Sequence, residues 1–201
     1  MERSDMRFAP ATFAPAAFAA AVLLAGPAFA GQPYVLDKSH TAVTFQVDHL
    51  GFSTTHGVFR DIDAEINFDP EAVETTSVKF VIKAESVDTF WTARDNHLRS
   101  GDFFDVANHP DITFVSTSVK PTGAETATVE GELTMLGQTR PVVFEAALNK
   151  LGPSPFNPDK TIAGFTITGE IDRTAFGMGY GAPAVGTVIP IRVDLEISPA
   201  S

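Results

Sequence analysis

The sequence predicts an all-β protein: an extended, eight-stranded antiparallel β-barrel with a short helical insert. Three observations predict it. Apolar and polar residues alternate through most of the chain after Tyr34, the period of a strand with one wet face. Several alternating stretches run about ten to twelve residues, longer than the usual five or six or so. A sheet of about eight such strands leaves two long unpaired edges unless it closes. A β-sandwich is the competing architecture. The interior of an eight-stranded barrel is either filled by side chains or holds one small ligand.

The elements follow in order. Val43, Phe45 and Val47 alternate with Thr44, Gln46 and Asp48, and a glycine-bounded loop runs from Leu50 to Gly57. Ile62, Ala64, Ile66 and Phe68 form the next apolar face. Phe59 breaks that parity and predicts a bulge near Arg60. Val78, Phe80, Ile82 and Ala84 alternate with Lys79, Val81, Lys83 and Glu85. After His109-Pro110 the inward set is Ile112, Phe114, Ser116 and Ser118, then Val129, Gly131, Leu133 and Met135. Leu136-Gly137-Gln138 is a tight hairpin turn into Val142, Phe144, Ala146 and Leu148. A loop covers Leu151 to Pro158, and Phe165, Ile167 and Ile171 mark another strand. Asp172 to Gly186 is irregular and glycine-rich. In the last strand Ile189, Ile191, Val193, Leu195 and Ile197 face inward, with Arg192, Asp194 and Glu196 towards water.

One stretch departs from this alternation. Thr92 serves as an N-cap with Asp95 three residues on, and Gly101 stands where a C-cap glycine belongs. Roughly two helical turns lie between them. Trp91 and Leu98 are spaced to share a face, and Phe103-Phe104 follow. This insert reads as a lid over the barrel, or as a crossover whose apolar face covers the sheet.

The 201 residues suffice for one domain with a sizeable core. Residues 1–30 read as a cleaved signal peptide: Arg3 and Arg7, an apolar run from Ala16 to Ala25, and an Ala28-Phe29-Ala30 cleavage site. That run is too short to span a membrane comfortably, and Gly26-Pro27 break it. Residues 31–201 then form the mature domain. With no cysteine, it is exported without disulfides or a lipid-bearing thiol. The net charge of −11, without a Lys/Arg cluster, argues against nucleic acid and anionic lipid surfaces.

Catalytic and metal signatures are weak. His40, His49, His56, His97 and His109 form no H-x-H or H-x-x-x-H pair. No G-x-S-x-G elbow, phosphate loop or dinucleotide fingerprint is present. Aromatic content is the stronger feature, with 17 phenylalanines in the chain and several on the inward faces above. Core packing claims most of these. An apolar interior with few inward charges also describes a site for a hydrophobic ligand.

Several stretches resemble YceI-like proteins: Tyr34 to Phe45, His49-Leu50-Gly51, Gly57-Val58-Phe59 and Ile66 to Pro70. Arg94 to Ser100 with Asp102 to Asp105 matches that family's central motif, and His109 to Phe114 continues it. Gly131 to Thr134, Gly137-Gln138-Thr139 and Arg173 to Gly177 complete the set. The resemblance implies a lipocalin-like barrel, in the periplasm or secreted, that binds a polyisoprenoid or another long amphiphile. It implies no established catalytic residues, and no cofactor or metal is expected. The expected ligand is a polyisoprenoid lipid or an isoprenoid quinone, with homodimerisation left open. On this reading Phe45, Phe80, Phe114 and Phe144 line the tunnel, Arg94 and His97 sit at its helix-covered side, and Trp91, Leu98 and Phe103 belong to the lid. The alternatives are a hydrolase or isomerase of a hydrophobic substrate, using His49, His97 and Asp102, or a stress-related interaction protein with a filled barrel.

Overall fold

The alternating stretches fold as eleven strands: β1 (Gln32–Leu36), β2 (Ala42–His49), β3 (Ser53–Phe59), β4 (Ile62–Phe68), β5 (Ser77–Lys83), β6 (Val87–Asp88), β7 (Asp111–Pro121), β8 (Thr126–Met135), β9 (Gln138–Pro153), β10 (Thr161–Asp172) and β11 (Val188–Pro199). One helix, α1 (Thr92–Leu98), joins them. This computed structural model describes residues 31–200. The signal peptide expected at 1–30 lies outside the described residues. Among the described residues, no helix is long and apolar enough to cross a membrane.

Eight strands close the barrel in the order β1–β4–β5–β7–β8–β9–β10–β11 and back to β1. All pairings are antiparallel, and closure runs through Leu36↔Ile197 and Tyr34↔Pro199. Further along the same strand, β11 pairs with β2 through Ile191↔Phe45 and Val193↔Val43. β1 and β2 thus act as one strand broken near Lys38–His40. β3 and β4 behave likewise. The break at Arg60-Asp61 lets Phe59 and Ile62 both point inward, which is what the parity slip at Phe59 signalled.

Three details differ from the expectations. The loop expected from Leu50 to Gly57 is a three-residue turn, Leu50 (φ 61°), Gly51 (φ 73°) and Phe52, and β3 begins at Ser53. Both positive φ values match the twist of tight hairpins, and β-branched Thr54 and Thr55 suit a strand. In β7, Thr117 is an extra residue between Ser116↔Gly131 and Ser118↔Glu130. This bulge moves the inward role from Ser118 to Val119, which is buried. β9 runs on to Pro153 before the loop that was expected from Leu151.

The barrel is filled at one end. Tyr34, Phe68 and Phe165 stack edge to face, with centroids 5.4 and 5.3 Å apart. Leu36, Ile66, Leu195 and Ile197 are buried with them. Each aromatic pair contributes about 0.5–1.5 kcal/mol beyond its buried area. The β1/β4 end is therefore a plug, and any open space lies towards β2, β3 and α1.

Candidate functional site

That space is a cavity of about 380 Å³, within the roughly 300–1,000 Å³ range of small-molecule sites. Val43, Phe45 and Val47 of β2, Phe80 and Ile82 of β5, and Ile112 and Phe114 of β7 form part of the wall. Leu133, Phe144, Ile167 and Ile171 continue it, and Ile189, Ile191 and Val193 of β11 close it. Phe45, Phe80, Phe114 and Phe144 all stand in this cavity wall, and Phe114 and Phe144 meet edge to face at 5.6 Å. No Asp, Glu or Lys side chain is among the lining residues.

The insert forms the mouth. Leu98, Phe103 and Phe104 turn towards the cavity, and Phe104 packs on Phe59 with centroids 5.5 Å apart. His97, Phe103 and Tyr180 make an aromatic triad with separations of 5.0, 5.1 and 5.2 Å. His97 Nε2 lies 2.9 Å from Asp102 Oδ2. Arg99 fixes α1 to the barrel by donating to the Glu85 and Val87 carbonyls, each at 2.7 Å. Arg94 donates to the Thr89 hydroxyl at 2.7 Å and to its carbonyl at 2.6 Å. Thr89 in turn donates its N–H and hydroxyl to the buried Asp95 carboxylate at 2.8 and 2.5 Å. The insert is thus a tethered cover with its apolar side towards the hollow.

Three expectations for the insert need correction. Thr92 is the first helical residue and Trp91 takes the N-cap position with no side-chain cap bond. Asp95 satisfies the Thr89 amide instead. Gly101 is not the C-cap; Arg99 fills that position with right-handed φ and ψ. The cap shift also moves Trp91. Its backbone is extended (φ −148°), so its side chain does not share the helical face of Leu98. The indole is 62% exposed and lies outside the cavity lining, with the Arg94 guanidinium 5.7 Å from its centroid. Trp91 is therefore not a cavity residue. Arg94, His97, Leu98 and Phe103 all line the cavity.

Arg173, Met178, Tyr180 and Val185 also line the cavity and were not among the candidates drawn from the sequence. Arg173 is 4% exposed. Its Nε donates to the Gly186 carbonyl at 2.8 Å, and its terminal nitrogens donate to Met178 and Val185 at 2.6 and 2.9 Å. Burial pulls its pKa below the usual value. The guanidinium thereby organises the loop that brings Met178, Tyr180 and Val185 to the cavity. His49 joins the lining through its bridge to Val185. The signals in sequence were the Arg173 motif and the glycine-rich loop after it, but neither carries an apolar period.

His97 and Asp102 come together, and His49 shares the cavity lining with His97. One further cluster sits away from the cavity. Asp37, His40 and Glu196 present ligand-type atoms within 4.8 Å of one another. Hydrogen bonds from Ser39 and His40 hold the Asp37 carboxyl well below the carboxylate range. Asp37 in turn raises the pKa of exposed His40. The arrangement closes the β1–β2 break rather than framing a pocket.

Comparison with known proteins fits this geometry. The family model of the YceI-like domain matches residues 34–197. A UPF0312 protein of Pseudomonas savastanoi is 40% identical over 167 residues, covering 82% of this chain and 83% of that one. The crystal structure of the Campylobacter jejuni YceI protein superposes with a TM-score of 0.70 at 29% identity, over 77% of this chain and 90% of that one. A polyisoprenoid-binding domain from Saccharophagus degradans, at 13% identity, shares the fold with a TM-score of 0.66 over 84% of this chain and 99% of that one. With a match across nearly all of the barrel, this chain belongs to the YceI-like family.

Proposed function

We propose that this chain is an exported, periplasmic binding protein that sequesters or carries a polyisoprenoid or a similar long-chain amphiphile inside its barrel. The observation that carries the reading is the one-ended apolar hollow, walled by Phe45, Phe80, Phe114 and Phe144 and plugged beyond by Phe68. An acyl or prenyl tail needs such burial from water, and the polar groups of the chamber cluster at the mouth. The name of the Saccharophagus domain, a structural neighbour, supports the same ligand class. An isoprenoid quinone is one candidate. The signal-like residues 1–30 support export. A filled-barrel interaction protein does not fit the hollow. Mass spectrometry of organic extracts from protein purified from its native host tests the proposal. A co-purifying long-chain lipid is expected; its repeated absence, also after incubation with quinone, would count against carriage.

A second reading, a hydrolase or isomerase, rests on the His97–Asp102 contact beside the cavity. It lacks a nucleophile–base–orienter set facing the hollow. Turnover of a hydrophobic ester that vanishes in folded His97→Ala would favour it.

A further inference from the structure

We infer that the ligand carries an anionic head, a phosphate or a carboxylate, held by Arg94 and Arg173 at the mouth of the cavity. The inference rests on the binding reading above and adds the head-group class. The chain has 25 acidic and 14 basic residues, yet the charged side chains in the cavity lining are these two arginines. Among the described residues neither forms an ion pair, whereas Lys38, Arg60, Lys79, Lys83, Lys120 and Arg192 each meet a carboxylate; Arg99, Arg140, Lys150 and Lys160 also lack one but lie outside the cavity lining. Asp95 reaches Arg94 only through the Thr89 hydroxyl. Asp172 is turned to the Thr174 amide and hydroxyl. Arg173 is the sharper case. A guanidinium offers five N–H groups, and carbonyls accept three bonds from this one. A buried charge is costly until paired, and a planar fork suits phosphate and carboxylate alike. Tyr180 and His97 line the same cavity. A quinone or alcohol accepts hydrogen bonds but neutralises no charge.

The test is displacement of Nile red from the lipid-stripped protein by geranylgeranyl phosphate, geranylgeraniol, palmitate and hexadecanol. At least one anion is expected to bind about tenfold more tightly than the alcohol with the same tail, and the two anion arms separate phosphate from carboxylate. High salt should weaken the anion and leave the alcohols unchanged. Folded Arg94→Gln should bring each pair within about twofold. Arg173→Lys, which keeps the charge and loses the fork, should narrow the gap less. Alcohols binding as tightly as both anions would overturn the head-group assignment and leave the binding reading standing. Failure of all four to displace the dye would defeat both.

Discussion

The ring of Phe45 lies on the backbone of Gly57, its cross-strand partner, so closely that a Cβ there would stand 2.1 Å from the ring tip. Phe114 covers Gly131 and Phe144 covers Gly169 in the same way. The missing side chains give the three rings room to lie along the wall. Gly57→Ala should therefore destabilise by about 1–3 kcal/mol through overpacking. Adding Phe45→Leu should recover part of the loss, which a double-mutant cycle in urea would measure. Additive effects would show that the ring does not depend on the gap.

Val193 points into the cavity opposite Val43. Val193→Asp would put an unpaired carboxylate there, at a cost of several kcal/mol. Loss of soluble folded protein is expected. Val35→Asp, on an exposed position of β1, should stay within about 0.5 kcal/mol of wild type. Equal thermal stability of the two variants would refute the inward parity of β11.

Arg173 holds three loop carbonyls. Arg173→Met should leave them unpaired and cost about 2–4 kcal/mol. The loop from Gly177 to Thr187 should then be cut faster in limited proteolysis. Unchanged cleavage would mean that the loop holds itself.

The indole of Trp91 is exposed and outside the hollow. Its fluorescence should be quenched readily by acrylamide and should respond alike to long and short quinones. Moving the probe inward, as Trp91→Phe with Phe103→Trp, should create a saturable response to the long ligand alone. Leu98→Asp should weaken that response without unfolding the barrel. A saturable long-chain signal from Trp91 itself would contradict its placement.

The imidazole of His40 should titrate above its ordinary value of about 6.5, because its hydrogen bond to Asp37 favours the charged form. The sign follows from linkage. A raised folded pKa contributes stability that is complete below the unfolded value and is lost as pH rises through the folded one. NMR titration of wild type against Asp37→Asn checks this; an unshifted curve in both would remove the contact from solution.

Much of the barrel was legible in the chain because one wet face imposes a period of two. Val43/Phe45/Val47 and Ile189 to Ile197 state their inward side directly. β3 was not legible, since its inward positions are Thr55, Gly57 and Phe59, and the middle one is empty for the sake of Phe45. The extra Thr117 in β7 was hidden among Ser and Thr residues of similar character. In the site, the phenylalanine wall was readable by parity. Arg173 and Tyr180 were not, because they reach the mouth through an irregular loop whose path depends on carbonyl contacts made across it. Trp91 misled through spacing alone: a helical period holds only inside the helix.

The plug around Tyr34, Phe68 and Phe165 makes the barrel a blind alley. A guest cannot thread through; it backs out along the path by which it came, head first and tail last. Departure must then expose the whole tail to water, at about 0.8 kcal/mol per methylene. Dwell time should climb steeply with tail length while capture varies little. Prompt hand-over consequently demands an acceptor that receives the tail as it emerges.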